Sequence, residues 1–438
     1  MLLMPSALIG QDQSLDIGAL ASALADQRAR IIQLQEELDQ TAALLELTRR
    51  LEGLTPAPAL PTSQPTVPSP PPPRFDFYAE SKVRYETLRQ AFPGCVGCPD
   101  RNRGRLRLRF GALGRLSPDF TAVFGLGVGE INDPNTVYVN LGNNFSRKVA
   151  TWDRGYVEYH PTGAKWMNLT AGKFPYTWVR SSMTFDVDFY PEGLSERFGF
   201  GLQPRGRLQN VGVQGFQLIV NEQPIDRHMT IVGTQLTTQL QLLPRISTLI
   251  AATGVDIKRP EFLLRALLDG SDIGVRNTNA IVIDNGIPGF PGGFRYANVI
   301  VENGGRTPWE ALPFNIALEY QRNLRAASNR DTGWSVRLDA GRAQQRGDWD
   351  FGWHIFRVEQ DAILAGLGES DWRAPSNVLQ HRFAIDWMAH PNVQLSFTLY
   401  RGRTLDRTLP GAILAPNLPS TLRDPWTNRL YLDVTYRY

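Results

Sequence analysis

Residues 103–113 read RGRLRLRFGAL, and this stretch decides the fold. Arg105, Arg107 and Arg109 alternate with Leu106, Leu108 and Phe110. That is the period of two a β-strand imposes, because successive side chains point to opposite faces. A soluble sandwich buries one face and wets the other with mixed polar residues. Three arginines backed by a wholly apolar face suit a strand with lipid on one side and water on the other, as in a transmembrane β-barrel.

The same alternation extends in both directions. Upstream, Phe77, Ala79, Val83 and Tyr85 alternate with Tyr78, Glu80, Lys82, Arg84 and Glu86. At the far end, Leu430, Leu432, Val434, Tyr436 and Tyr438 alternate with Arg429, Tyr431, Asp433, Thr435 and Arg437. Strands are expected near 75–87, 103–115, 118–129, 149–160, 165–174, 195–204, 207–221, 228–243, 245–256, 295–304, 313–323, 333–343, 349–360, 379–390, 392–402 and 428–438. That makes about sixteen, the low end of the channel-forming barrels. An even-numbered barrel needs short turns at one end and longer loops at the other. Turn chemistry stands at Leu116-Ser-Pro, His160-Pro-Thr-Gly, Pro204-Arg-Gly, Leu243-Pro and His390-Pro-Asn. Long connections fall between them, at 88–102, 130–148, 175–194, 257–294, 361–378 and 403–427. Within 257–294, the run from Glu261 to Leu268 could form a short helix and Ala280–Ile283 could pair locally.

Residues 1–73 are different in kind. MLLMPSALIG opens the sequence without a basic segment; residues 1–14 read either as the remnant of a secretory signal or as an unstructured N-terminus. From 15 to 54 there is no proline, and a seven-residue register aligns Ile17, Leu24, Ile31, Leu38 and Leu45. The partner seam, Leu20, Gln27, Leu34, Thr41 and Thr48, is half polar. The pattern predicts a helical coiled coil or, alternatively, a single amphipathic helix. Residues 55–73, TPAPALPTSQPTVPSPPPP, form a proline-rich linker, since proline fixes φ and removes the N–H donor. The expected organisation is therefore a signal remnant (1–14), a coiled coil (15–54), a linker (55–73) and an all-β transmembrane antiparallel barrel (74–438).

Composition narrows function by exclusion. The 46 basic and 43 acidic residues leave a formal charge of +3, too balanced for a nucleic-acid surface. No uncharged apolar run reaches the roughly 18 residues of a membrane helix. Aromatic residues make up 10% of the chain, which would supply the interfacial girdles of a barrel. Cys95 and Cys98 form a lone C-x-x-C, read as a local disulfide or two spare thiols. No hydrolase, zinc-protease or phosphate-loop motif is present. The acidic pairs Asp348/Asp350 and Glu369/Asp371 fall at strand ends or in loops, where solvated carboxylates are the rule. Glu359 and Asp361 could hold a divalent cation at the outer surface. No catalytic residue, metal ligand or cofactor is otherwise expected.

Several stretches, RNRGRLRLRFG (101–111), DRGYVEY (153–159), AGKFP (171–175), FDVDFYPEG (185–193), EQDAILAGLGESDW (359–372) and RFAIDW (382–387), together resemble the putative-porin family of Gram-negative outer-membrane barrels. The resemblance implies a water-filled channel for small hydrophilic solutes and ions, an outer-membrane location and a homotrimer. The aromatic ending, Tyr436 and Tyr438, resembles the signal read by the outer-membrane assembly machinery, which usually ends in Phe.

Selectivity in such a channel comes from charged side chains at its narrowest point. The segment 175–194 is the third long-end loop by parity, and it supplies Asp186, Asp188 and Glu192. Lys82, Arg84, Arg105, Arg107 and Arg109 would line the facing wall. The expectation is a transverse field between acidic loop and basic wall; the alternative is that the loop carboxylates tie the loop to the wall. The arm of residues 1–73 suggests a second role, a periplasmic tether to peptidoglycan.

Overall fold

A computed structural model of the protein describes residues 74–90, 100–129, 134–142, 144–202, 207–222, 228–243, 245–268, 277–306, 312–409 and 426–438. The expected signal remnant, coiled coil and linker, with Cys95 and Cys98, lie outside the described residues.

The strands are β1 (Arg74–Arg89), β2 (Arg101–Arg115), β3 (Phe120–Val128), β4 (Val139–Asn140), β5 (Ala150–Tyr159), β6 (Met167–Lys173), β7 (Glu192–Gly201), β8 (Leu208–Asn221), β9 (Met229–Leu243) and β10 (Ile246–Lys258). After the helix α1 (Glu261–Leu268) come β11 (Val282–Asp284), β12 (Ile287–Gly289), β13 (Phe294–Arg306), β14 (Pro313–Asn323), β15 (Thr332–Gly341), β16 (Trp349–Val358), β17 (Val378–His390), β18 (Val393–Thr404) and β19 (Thr427–Arg437). β11 and β12 make a separate hairpin. β4 only continues the pairing of β2 beyond the end of β3. The remaining sixteen strands are antiparallel, each next to its chain neighbour, and β1 pairs with β19 as well as β2. The sheet is thus closed into a barrel without edges, the arrangement that satisfies every backbone group in lipid. Each expected strand overlaps one strand of the wall, and the helix and local pairing suggested within 257–294 are α1 and the β11–β12 hairpin.

Alternation sorts the wall. Val83, Tyr85, Leu432, Val434 and Tyr436 are exposed on the outer face, while Arg84, Glu86, Asp433 and Thr435 are buried on the inner one. Outward aromatics gather near the short turns, where Phe120 packs on Tyr159, Trp166 on Phe200 and Trp349 on Trp387 at ring separations of 4.7, 5.7 and 5.5 Å. Such a ring marks a membrane interface.

Among the described residues, at least two connections fold into the lumen instead of outward. L3 (174–191) joins β6 to β7, and L7 (359–377) joins β16 to β17. They bring Phe174, Trp178, Met183, Phe185, Ile363, Leu364, Leu367 and Trp372 against inward residues of the wall, including Phe216, Ile231, Val255, Tyr296 and Phe356. The long-loop half of the lumen therefore holds an apolar cluster, where strand alternation alone predicts a wet interior throughout. The apolar runs in L3 and L7 could not be solvated at acceptable cost, and the inner faces of β8–β10, β13 and β16 give them a partner. L3 enters and leaves at two facing glycines, Gly172 (φ 124°) and Gly193 (φ 150°). A Cβ on Gly193 would stand 2.0 Å from the Gln217 carbonyl oxygen, so the wall can bend there only with glycine.

Candidate functional site: the lumenal wall and its inner loops

The seam formed by β19, β1 and β2 carries a dense ion-pair network. Arg84 Nε and Nη2 donate to Asp433 Oδ1 and Oδ2 at 2.8 and 2.9 Å. Lys82 stands 3.9 Å from the same carboxylate. Arg103 and Arg105 share Glu86 at 2.8 and 3.4 Å, and Arg105 also donates to Thr136 Oγ1 at 2.9 Å. Arg107 joins Glu80 at 2.6 Å to Asp188 at 3.3 Å, and Arg109 pairs with Asp153 at 3.0 Å. Tyr138, just before β4, lies under the guanidinium groups of Arg84, Arg105 and Arg107, 4.4 to 5.1 Å from its ring centroid. The like charges of Arg103, Arg105, Arg107 and Arg109 are tolerable because each lies against a carboxylate, and the last three also against an aromatic face.

The third loop does not stand across open water from these arginines. Asp188 touches Arg107 directly. Asp186 is buried: it accepts from the Asp188 N–H at 2.8 Å and from the Ser370 N–H of L7 at 2.8 Å. Glu192 is the first residue of β7 rather than part of the loop, on the outward row with Leu194, and pairs with Lys173 at 2.7 Å. The expected field between a free acidic loop and a free basic wall is thus replaced by direct ion pairing. A separation that looks like an eyelet in sequence closes because a buried arginine requires a partner. Asp361 is likewise buried, accepting from the Ala280 N–H at 3.0 Å and Ser328 Oγ at 2.9 Å, and Glu359 pairs with Arg357 at 3.0 Å; neither presents an exposed cation site. Tyr436 and Tyr438 are exposed near the short-turn end.

L3 follows the inner wall. Trp178 stacks on Phe216 at 3.9 Å. The Val179 N–H donates to Gln235 Oε1 at 2.9 Å, and Gln235 Nε2 returns a bond to the Val179 carbonyl at 2.7 Å. Ser181 donates to Glu319 on β14. L7 is held by Gln321, Asn323 and Asn279, whose side-chain amides donate to the carbonyls of Ala362, Asp361 and Ile363 at 2.7 to 2.9 Å.

Where the loops meet, buried acids gather. Burial pushes the Asp186 carboxyl up to about 7, with help from neighbouring Asp188. Burial raises Glu369 well above the usual carboxylate range, and Asp186 and Asp371 add to it. Burial would raise Asp371 too, but Arg84 and Arg429 outweigh it and hold this carboxyl below its ordinary value.

Among the described residues the lumen holds a small gap of about 200 Å3 between Thr177–Val179 and the inner faces of β7–β9, and two larger polar chambers. One, of about 340 Å3, is bounded by Leu88, Arg101, Arg103, Arg373, Tyr400 and Arg429, with Asp371 its sole acidic lining residue among those described. The other, of about 520 Å3, lies between L3 and the opposite wall, bounded by Arg180, Val187, Arg337, His354, Arg382 and Tyr400, with Glu302 and Glu369. Tyr400 borders both. Of the residues expected to line the pore, none borders the larger chamber. The wall that does so, Glu302 to Tyr400, comes from five strands and has no contiguous sequence signature.

A closed barrel narrowed from within by loops is the geometry of a channel. Residues 80–229 match the family model described as "Putative porin". The putative-porin match runs from β1 to the first residue of β9 and includes the arginines of β2 and all of L3. Four of the stretches that carried the resemblance, 101–111, 153–159, 171–175 and 185–193, lie inside it; 359–372 and 382–387 lie beyond it. Among solved structures, the chain is similar to OmpF of Salmonella typhi in complex with daunomycin, at 10% identity and a TM-score of 0.47 over 83% of this chain and 97% of that one. It is also similar to a loop-deleted OmpT of Vibrio cholerae, at 5% identity and 0.46 over 84% and 99%. A mutant Rhodopseudomonas blastica porin matches at 9% and 0.43 over 83% and 100%. A search of curated proteins finds no match. The strand pairing itself carries the assignment of a closed barrel.

Proposed function

We propose that this putative-porin barrel is an outer-membrane channel that passes small hydrophilic solutes by diffusion and performs no chemistry. The observation that carries the reading is the sorting of the wall: apolar side chains outward, charged and amide side chains inward around two polar chambers. In this reading Lys82, Arg84, Arg105, Arg107 and Arg109 with Glu80, Glu86 and Asp433 are the scaffold on which L3 and L7 rest, and the chambers beside the loops are the path. Liposomes containing the full chain should swell in isosmotic arabinose and more slowly in a trisaccharide. Swelling no faster than in protein-free liposomes would remove the transport reading.

Assembly as a homotrimer and insertion by the outer-membrane assembly machinery belong to the same proposal. Crosslinking in detergent tests the first, expecting a band at three times the monomer mass. Residues 1–73 supply a second role, a coiled-coil arm and proline-rich spacer that grips peptidoglycan from the periplasmic side. Sedimentation with isolated peptidoglycan, with and without residues 1–73, tests it; equal recovery of both forms counts against the tether.

A further inference from the structure

The pairing register places one row of inward residues across seven strands. Arg337 on β15 is opposite His354 on β16, which is opposite Arg382 on β17. Arg382 is opposite Tyr400 on β18, and Tyr400 is opposite Arg429 on β19. Arg429 is opposite Leu88 on β1, and Leu88 is opposite Arg101 on β2. Every second member of the row is an arginine. Adjacent strands lie about 4.8 Å apart, so the arginines recur roughly every 10 Å. Strands in a barrel are tilted, so a row perpendicular to them climbs along the barrel axis. This one starts midway along β15 and ends at the first residue of β2, at the long-loop mouth.

The two chambers lie along it. Arg337, His354, Arg382 and Tyr400 border the larger, and Tyr400, Arg429, Leu88 and Arg101 border the smaller. The row thus runs from one cavity into the other through Tyr400, which borders both.

Its charge is only partly balanced. Arg337 pairs with Glu302 and, at 3.0 Å, with Asp339. Arg429 stands 3.6 Å from Asp371 and 3.7 Å from Glu86. Arg382 on the wall and Arg180 on L3, stacked 3.8 Å over Tyr176, have no described carboxylate within 4 Å. Glu369, the acid that L7 adds to the larger chamber, is buried and held toward its neutral form. The opposing acids are Asp339, Asp350 and Asp386, inward residues of β15–β17 toward the short turns, below Arg382, and the buried Glu319 on β14, which lies near Arg180 and accepts from Ser181. Partly dehydrated cations at regular spacing along a narrow path lower the barrier for anions and raise it for cations.

We propose that the solute path follows this row and is selective for small anions, with Arg180 and Arg382 as its deciding charges. The inference rests on the porin reading. The full chain in planar bilayers under a tenfold potassium chloride gradient should give a reversal potential of anion sign, with chloride preferred about threefold or more. Arg180→Gln with Arg382→Gln should still open, but move the preference several-fold toward potassium, and Arg382→Lys should keep the wild-type sign. A cation-preferring or unselective wild type, or a reversal potential the double substitution does not move, would overturn the anion path while leaving the porin reading in place. A wild type that never opens would overturn both.

Discussion

Arg84 and Asp433, 349 residues apart in sequence, meet in a bidentate ion pair of 2.8 and 2.9 Å across the seam where β1 closes on β19. Both side chains are nearly buried, and the guanidinium rests 3.8 Å over the Tyr431 ring. Removing one partner of such a pair leaves a desolvated charge, which costs about 3–5 kcal/mol. Asp371 stands 3.7 Å from Arg84 and would recover part of that. Asp433→Asn should therefore destabilise the barrel toward the lower end of this range. Urea unfolding followed by the heat-dependent gel mobility of folded barrels checks it, and an unchanged midpoint counts against a structural role for the seam.

Arg107 joins the wall to L3. Its replacement by Gln would leave Glu80 and Asp188 without the guanidinium that both contact. Two part-buried carboxylates would then face the lumen. The expected outcome is a several-fold shift of ion preference toward cations, with noisier single-channel current as L3 loses an anchor. If Arg107 instead stood free in the path, Glu80→Gln with Arg107→Gln would behave like Arg107→Gln alone; the account expects the double substitution to lie closer to wild type.

The L3–L7 contact should depend on pH. Asp186 has a folded pKa of about 7, above the ordinary value near 4 for an aspartate. A raised carboxyl binds its proton more tightly in the docked state, so the contribution is complete below about pH 4 and is lost as pH rises through 7. Glu369 has the same sign. Docking should thus be tighter at pH 5 than at pH 8, changing by at most about 1.4 kcal/mol per pH unit for each group. Asp371, shifted the other way by Arg84 and Arg429, works against this only in acid. Amide protection factors over 183–188 and 363–370 should fall from pH 5 to pH 8, and Asp186→Asn should flatten the change.

Trp178 fixes L3 to the wall by stacking on Phe216 at 3.9 Å. Trp178→Ala removes that stack and the apolar area buried with it, at a cost of about 3–5 kcal/mol for a large aromatic in a packed cluster. The barrel strands do not depend on it, so folding yield should hold while L3 detaches. Single-channel conductance should rise by half or more; a conductance equal to wild type would mean that L3 does not restrict the passage.

The barrel wall was legible from alternation because lipid demands an apolar side chain at every second position and nothing else in the chain shares that period. The turns were legible from proline and glycine. The position of L3 followed from strand parity, but its contacts did not: whether Asp188 faces Arg107 across water or touches it depends on a distance no spacing encodes. L7 left a signal in Ala362-Ile-Leu-Ala-Gly-Leu, six nonpolar residues in a connection supposed to face water, which marks a loop that must be buried. The row from Arg337 to Arg101 left none, since its members come from seven strands and become neighbours only once every register is fixed. Sequence reading favours ladders within one strand, such as Arg105, Arg107 and Arg109, over rows that cross strands.

If the chamber between L3 and the wall lies on the conducting path, a thiol placed in it should be reached by reagents in the permeating solution. Val187 on L3 and Val434 on β19 are equally open, 51% and 50% exposed, but Val187 borders the chamber and Val434 faces outward. With Cys95 and Cys98 replaced by Ser, a charged methanethiosulfonate reagent added to an open channel should cut the current stepwise for Val187→Cys and leave Val434→Cys unaffected. A current left unchanged by labelling of Val187→Cys would place the chamber off the conducting path.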